Sequence, residues 1–171
     1  MTPITGSIGA GARVRSHKGA LQMESRAKLL GVEVGFFHAS EVQWEASLST
    51  PLNGMFQIHN LAGNGLITFA KPGFSHPQAS ARFETGACGL SLENGTAHLW
   101  NVALKAAGNS VTGELSWALE RTNKKSAPHG AFTLELPDLR GLRLNVRGLP
   151  LEGSLTAIAA GQWSETVSYT H

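Results

Sequence analysis

Apolar and polar residues alternate with a period of two along most of this chain. Between residues 41 and 48, for example, every even-numbered residue is apolar, including Trp44 and Leu48, and every odd-numbered residue is polar. Because successive side chains of a strand point to opposite faces, this pattern predicts strands with one buried and one solvated face. The pattern occurs in residues 21–28, 41–48, 79–84, 111–120, 132–136 and 142–147.

Turn-forming residues separate these segments. Three Asn-Gly dipeptides predict two-residue hairpin turns, because both residues tolerate a positive φ angle. A Gly-Asn and a Pro-Asp dipeptide predict two more turns. The five turns are predicted at residues 53–54, 64–65, 94–95, 108–109 and 137–138. Residues 71–78 and 121–130 are richer in proline, glycine and lysine, and we interpret both as longer loops.

The alternation and the turns together predict an all-β fold. We expect an antiparallel meander of about 9–12 short strands that forms a curved open sheet, a sandwich or a partial barrel. The composition agrees, with 20 glycines, 42% apolar residues and only 15% charged residues. We expect residues 1–166 to form a single β domain or a piece of a larger one.

The last five residues have a separate interpretation. Residues 167–171 read Val-Ser-Tyr-Thr-His, which resembles one translated frame of a transposase adapter used in shotgun sequencing libraries. The alternative is an edge strand, since valine, tyrosine and threonine favour strands. We favour the adapter, and we therefore expect residues 167–171 to be a non-native tail on a truncated metagenomic gene, with a natural chain that continues past residue 166.

The sequence carries no motif for catalysis or metal binding. The net charge of +2 is too small to indicate nucleic-acid binding. No apolar run approaches the roughly 20 residues of a membrane helix. The single cysteine, Cys88, cannot form an intrachain disulfide. His17, His38 and His59 are evenly spaced, but scattered surface histidines are the favoured interpretation. We predict no catalytic residue, no metal ligand and no cofactor, and a protein that is not an enzyme.

The candidate binding residues lie on the apolar phases of the predicted strands. A groove for an acyl chain would use these side chains, and so would an ordinary core covered by a second sheet. The pattern does not separate the two interpretations. The candidates are Trp44, Leu48, Leu115, Trp117, Leu119, Leu134, Leu144 and Val146.

Residues 90–119 resemble two families of bacterial envelope β-sheet proteins. An apolar strand, an Asn-Gly turn, a second apolar strand and then Gly-x-Leu resemble the AsmA/TamB-like group. The sequence GTAHLW at residues 95–100, followed by GELSWAL at 113–119, resembles the type II secretion N protein. In that family Leu-Trp follows Gly-Thr directly, whereas two residues intervene here. LPLEGSL at residues 149–155 also resembles a glycine-centred strand start of both groups.

The resemblance implies a periplasmic or inner-membrane-tethered sheet without catalytic residues. Such a sheet would curve around an apolar ligand or dock against a secretion or transport assembly, so the implied partners are lipid and envelope proteins. A different class stays open, because a structural module of a phage tail or a capsid-decoration protein would show the same glycine-rich strands and low charge.

We expect far-UV circular dichroism of the purified protein to show mainly β-structure, because period-two alternation dominates the sequence. A helix content above about a third, the average for soluble domains, would contradict the predicted fold class.

Overall fold

The computed structural model describes residues 5–52, 57, 60–119 and 128–162. Within these residues the chain forms thirteen strands and no α-helix, and neighbouring strands pair antiparallel in one sheet. The strands are β1 (Thr5–His17), β2 (Ala20–Val34), β3 (Phe37–Pro51), β4 (Ala62–Ala70), β5 (Gly73–His76), β6 (Ala79–Arg82), β7 (Thr85–Glu93), β8 (Thr96–Ala106), β9 (Asn109–Ala118), β10 (His129–Leu136), β11 (Asn145–Val146), β12 (Leu149–Pro150) and β13 (Leu155–Gln162).

The sheet divides at β3. One edge of β3 pairs with β2, and β2 pairs with β1. The opposite edge pairs with β4 along residues 41–49 and with β5 at Phe37 and His38. From β4 the main sheet continues through β7, β8, β9, β10 and β13, while from β5 a short arm continues through β6, β11 and β12. The result is one open sheet with two arms that does not close on itself.

Four tight turns set the register of neighbouring strands. Each places two consecutive residues at positive φ, the type I′ geometry that matches the twist of the strands it joins. Glycine is the second residue of every pair, since it adopts positive φ without a steric cost. The pairs are Lys18-Gly19, Asn94-Gly95, Ala107-Gly108 and Arg147-Gly148.

A small apolar core forms where the short arm meets the main sheet. Its side chains are Ala106, Leu136, Leu139 and Leu142, with Phe83, Val111, Leu134 and Leu144 packed against them. Asn109 is buried beside this core. Its amide nitrogen donates to the carbonyl oxygens of Ala106 and Asp138 at 3.1 and 2.8 Å, and its Oδ1 accepts the Asp138 N–H at 3.0 Å. The buried amide is therefore hydrogen-bonded at both ends, as burial requires.

The structure confirms the antiparallel all-β fold, its open form and the turn at Asn94-Gly95. The predicted turn at residues 64–65 is wrong, because both residues lie inside β4. A Cβ atom at Gly65 would lie 2.7 Å from the carbonyl oxygen of Glu45, so this glycine permits close strand packing rather than a turn. Residues 53–54 lie outside the described residues.

Two further predictions of local structure are wrong. Residues 71–78 are not a plain loop, because they contain β5, which finds a partner in β3. The predicted strand at residues 142–147 is reduced to β11, because residues 139–143 form turns that place Leu142 in the core. Of the predicted loop at 121–130, residues 121–127 lie outside the described residues, while His129 and Gly130 begin β10.

We expect Leu142→Ala to lower the free energy of unfolding by about 3 kcal/mol, because it leaves a cavity where the two arms meet. Leu142 is 1% exposed, whereas Leu149, in the edge strand β12, is 68% exposed. Leu149→Ala is the matched control, and we expect it to change stability by no more than about 0.5 kcal/mol. Equal effects of the two variants in urea unfolding would contradict the assigned core.

Candidate functional site

One face of the main sheet is apolar along its central row from β3 to β9. The pairing registers place Ala46, Gly65, Leu90, Leu99 and Leu115 opposite one another in a single row across five strands. Since side chains two residues apart share a face, the residues that flank this row lie on the same side. We call this surface the apolar face.

Four predicted site residues meet on the apolar face. Trp44 and Leu48 flank Ala46 in β3, and Trp117 lies two residues beyond Leu115 in β9. Trp44 donates its indole Nε1–H to the Ser25 hydroxyl oxygen at 2.9 Å. The polar group of this tryptophan is thereby satisfied within the sheet, and the ring remains as apolar surface.

The other four predicted residues do not join them as one site. Leu134 and Leu144 pack on the closed core between the arms. Val146 lies in β11, opposite Ala79, and its side chain is exposed. Leu119 follows β9, and its N–H donates to the Gly95 carbonyl at 2.8 Å. The apolar phase of a strand therefore does not by itself decide which surface its side chains line.

The apolar face is a single layer over most of its width. Among the described residues, the substantial contacts between strands are all made by hydrogen-bonded neighbours. Leu90 and Ala97 are buried near the middle of the face, whereas Ile8 and Val14 of β1 are exposed at its edge. An open depression of 410 Å³ lies beside Trp44, between β1 and β2.

Cys88 of β7 lies in the buried middle of the apolar face, opposite Ile67 of β4. Burial raises the pKa of the Cys88 thiol, because a thiolate loses its hydration there. The thiolate is the reactive form, so the native protein holds this sulfur in an inert state at neutral pH.

We expect Cys88 to react with an aromatic disulfide reagent at neutral pH only as fast as the sheet opens, and to react at once in denaturing urea. The measurement is the absorbance of the released thiolate with and without urea. A native reaction as fast as that of free cysteine would show that Cys88 is not buried.

The opposite face holds a group of polar side chains that the sequence analysis did not bring together. His98 of β8 stands opposite Ser116 of β9. The imidazole Nδ1 lies 2.5 Å from the Ser116 Oγ, and Nε2 lies 3.8 Å from a carboxylate oxygen of Glu114. No sequence motif signals this cluster, because its members meet only through the register of β8 and β9.

Serine, histidine and a carboxylate are the side chains of a hydrolytic triad. A triad also needs N–H donors aimed at the developing oxyanion. Here the backbone of β9 around Ser116 pairs with β8 on one edge and with β10 on the other. Its N–H groups are therefore engaged in the ladder, and the cluster suits cross-strand hydrogen bonding rather than nucleophilic attack.

No group of three or more metal-ligating side chains converges within the described part of the chain. His17 lies at the end of β1 and His38 near the start of β3, while His59 is outside the described residues. Across residues 5–52, 57, 60–119 and 128–162, no helix is long and apolar enough to span a bilayer.

The arrangement has no counterpart among the proteins compared with it. No protein-family model matches the chain, and neither a curated protein nor a solved structure shows significant similarity to it.

Proposed function

We propose that the chain is a non-catalytic β-sheet protein of the bacterial envelope whose apolar face binds the acyl chains of lipid. One observation carries the proposal: the apolar face spans the main sheet as a single layer, with no second sheet of described residues packed across it. Ile8 and Val14 are exposed where this face reaches β1, and soluble proteins rarely leave a large contiguous apolar surface without a partner.

The chemistry of the face suits an acyl chain. Its central row contains only alanine, glycine and leucine, and charged side chains of the same strands point to the opposite side. The indole N–H of Trp44 already donates a hydrogen bond to Ser25. A hydrocarbon ligand over this ring therefore does not leave the N–H buried without an acceptor. The depression beside Trp44 gives such a chain a place to enter from the β1 edge.

The envelope location rests on the family resemblance of residues 90–119, which also supplies the alternative partner, a secretion or transport assembly. The same surface would serve that assembly as a docking face. The phage or virion structural module is the competing proposal, and it requires that a protein surface rather than lipid covers the apolar face.

The test is to produce the chain in a bacterial periplasm, purify it without detergent and extract bound lipid for mass spectrometry. We expect phospholipid or lipid A acyl chains in the extract. Trp117→Glu should lower the bound lipid at least about tenfold, because a carboxylate buried against an acyl chain costs several kcal/mol. Val14→Glu, at the exposed edge of the same face, should also lower it while leaving the core untouched.

Ile158→Glu is the matched control. Ile158 is 79% exposed and pairs with Thr133 on the opposite face, so the same apolar-to-acidic change there should leave bound lipid unchanged. Circular dichroism verifies that each variant keeps its sheet. No lipid in the folded wild-type protein, or equal loss from the Ile158 variant, would refute the lipid proposal and favour the structural module.

A further inference from the structure

The face opposite the apolar face carries two neighbouring rows of side chains that cross the strands. The first, which we call the polar row, offers hydroxyl, amide, carboxylate and imidazole groups at successive strands from β2 to β9. Its members pair directly with one another, and they are Glu24, Ser47, Asn64, Ser91, His98 and Ser116. Successive groups are therefore spaced by the strand separation of about 4.8 Å.

The second row ends in an exposed aromatic ring. It runs from Arg26 through Glu45, Leu66 and Gly89 to Trp100. A Cβ atom at Gly89 would lie 2.2, 2.3 and 2.5 Å from three atoms of the Trp100 ring. These nearly equal distances show that the ring lies with one face over the Gly89 backbone. Trp100 is nevertheless 40% exposed, and the neighbouring Leu66 is 51% exposed.

Trp100 faces this side in the ordinary alternation of β8, two residues after His98, and a break in the ladder follows it. The register between β7 and β8 shifts between Ala87 and Gly89, and the register between β8 and β9 shifts between Leu99 and Val102. Asn101, within the second shift, has a φ of 50°. Bulges are frequent beside functional sites. A large aromatic ring on the polar side of a sheet exposes apolar area to water, which is unfavourable unless a ligand covers the ring.

The two rows border an open depression of 890 Å³, a size within the range of small-molecule sites. Two arginines and two glutamates line it, so their charges cancel, and Arg26 Nε lies 3.4 Å from Glu45 Oε1. A polyanion would need a net positive groove. The balanced charge, the hydrogen-bonding row and the indole instead suit a neutral ligand with many hydroxyl groups.

We propose that this face binds a neutral oligosaccharide that runs across the strands. The C–H groups on one face of a pyranose ring carry partial positive charge, which the negative face of the Trp100 ring attracts. The ring hydroxyls and acetamido groups of neighbouring sugars meet the polar row, where Asn64 and Ser47 donate and accept hydrogen bonds. The regular strand spacing matches an extended β-linked glycan, which is built of repeating units. The side chains of the two rows point away from the apolar face, so the site does not depend on lipid binding.

The test is isothermal titration calorimetry of the full chain with chitohexaose, cellohexaose and an α-linked dextran oligosaccharide of equal length. We expect at least one β-linked hexamer to bind and the dextran to bind more weakly. Trp100→Ala should weaken binding about tenfold, while Trp100→Phe keeps part of the affinity because a smaller ring still stacks. Asn64→Ala should weaken binding about fivefold through the lost hydrogen bonds.

Phe36→Ala is the matched control, because Phe36 is also an exposed aromatic residue but lies at the β2–β3 turn, against Phe74 and His76. It should leave the affinity unchanged, and circular dichroism should show that all variants keep the sheet. The proposal is overturned if no hexamer binds, if Trp100→Ala binds as well as wild type, or if an oligothymidylate of equal length binds in preference to every glycan.

Discussion

The register of β3 is the constraint on which the rest of the molecule depends. This strand pairs with β2 along one edge and is shared between β4 and β5 along the other, so both arms of the sheet take their alignment from it. Because side chains alternate with a period of two, a slip of one residue would turn every side chain to the other face. Trp44 would then join the charged side, Glu45 would enter the apolar face, and both proposed surfaces would be lost together.

Glycine allows the strands to hold this register at close range. A Cβ atom at Gly63 would lie 2.2 Å from the carbonyl oxygen of Ser47, and one at Gly113 would lie 2.3 Å from that of Ala131. Backbone carbonyls in a paired ladder cannot move aside as a flexible side chain can. The glycine content of the chain is thus tied to sheet packing at these positions as well as to turns.

The sheet is regular along most of its width, with register shifts at the start of β1 and on both sides of β8. Regular pairing separates the apolar face from the charged one and needs only the alternation of residue types. Trp100 stands on the charged face in the normal phase of β8, two residues after His98, and the register shifts at Cys88 and Asn101 lie directly beside it. A lipid-binding face and a glycan-binding face can therefore occupy one layer of strands, because each strand presents a different chemistry to either side.

Alternation in the sequence by itself determined the fold class and the faces of β2, β3, β9 and β10, because the direction of a side chain within a strand is local geometry. It likewise determined the turn at Asn94-Gly95, where the two turn residues settle the conformation. Only the tertiary structure decided that Gly65 packs against β3 instead of turning, that Leu144 enters a closed core while Trp117 stays on the open face, and that Trp100 lies over Gly89. Each of these depends on pairing between segments far apart in the chain. The residue order within one strand does not specify which distant strand it pairs with or in which register.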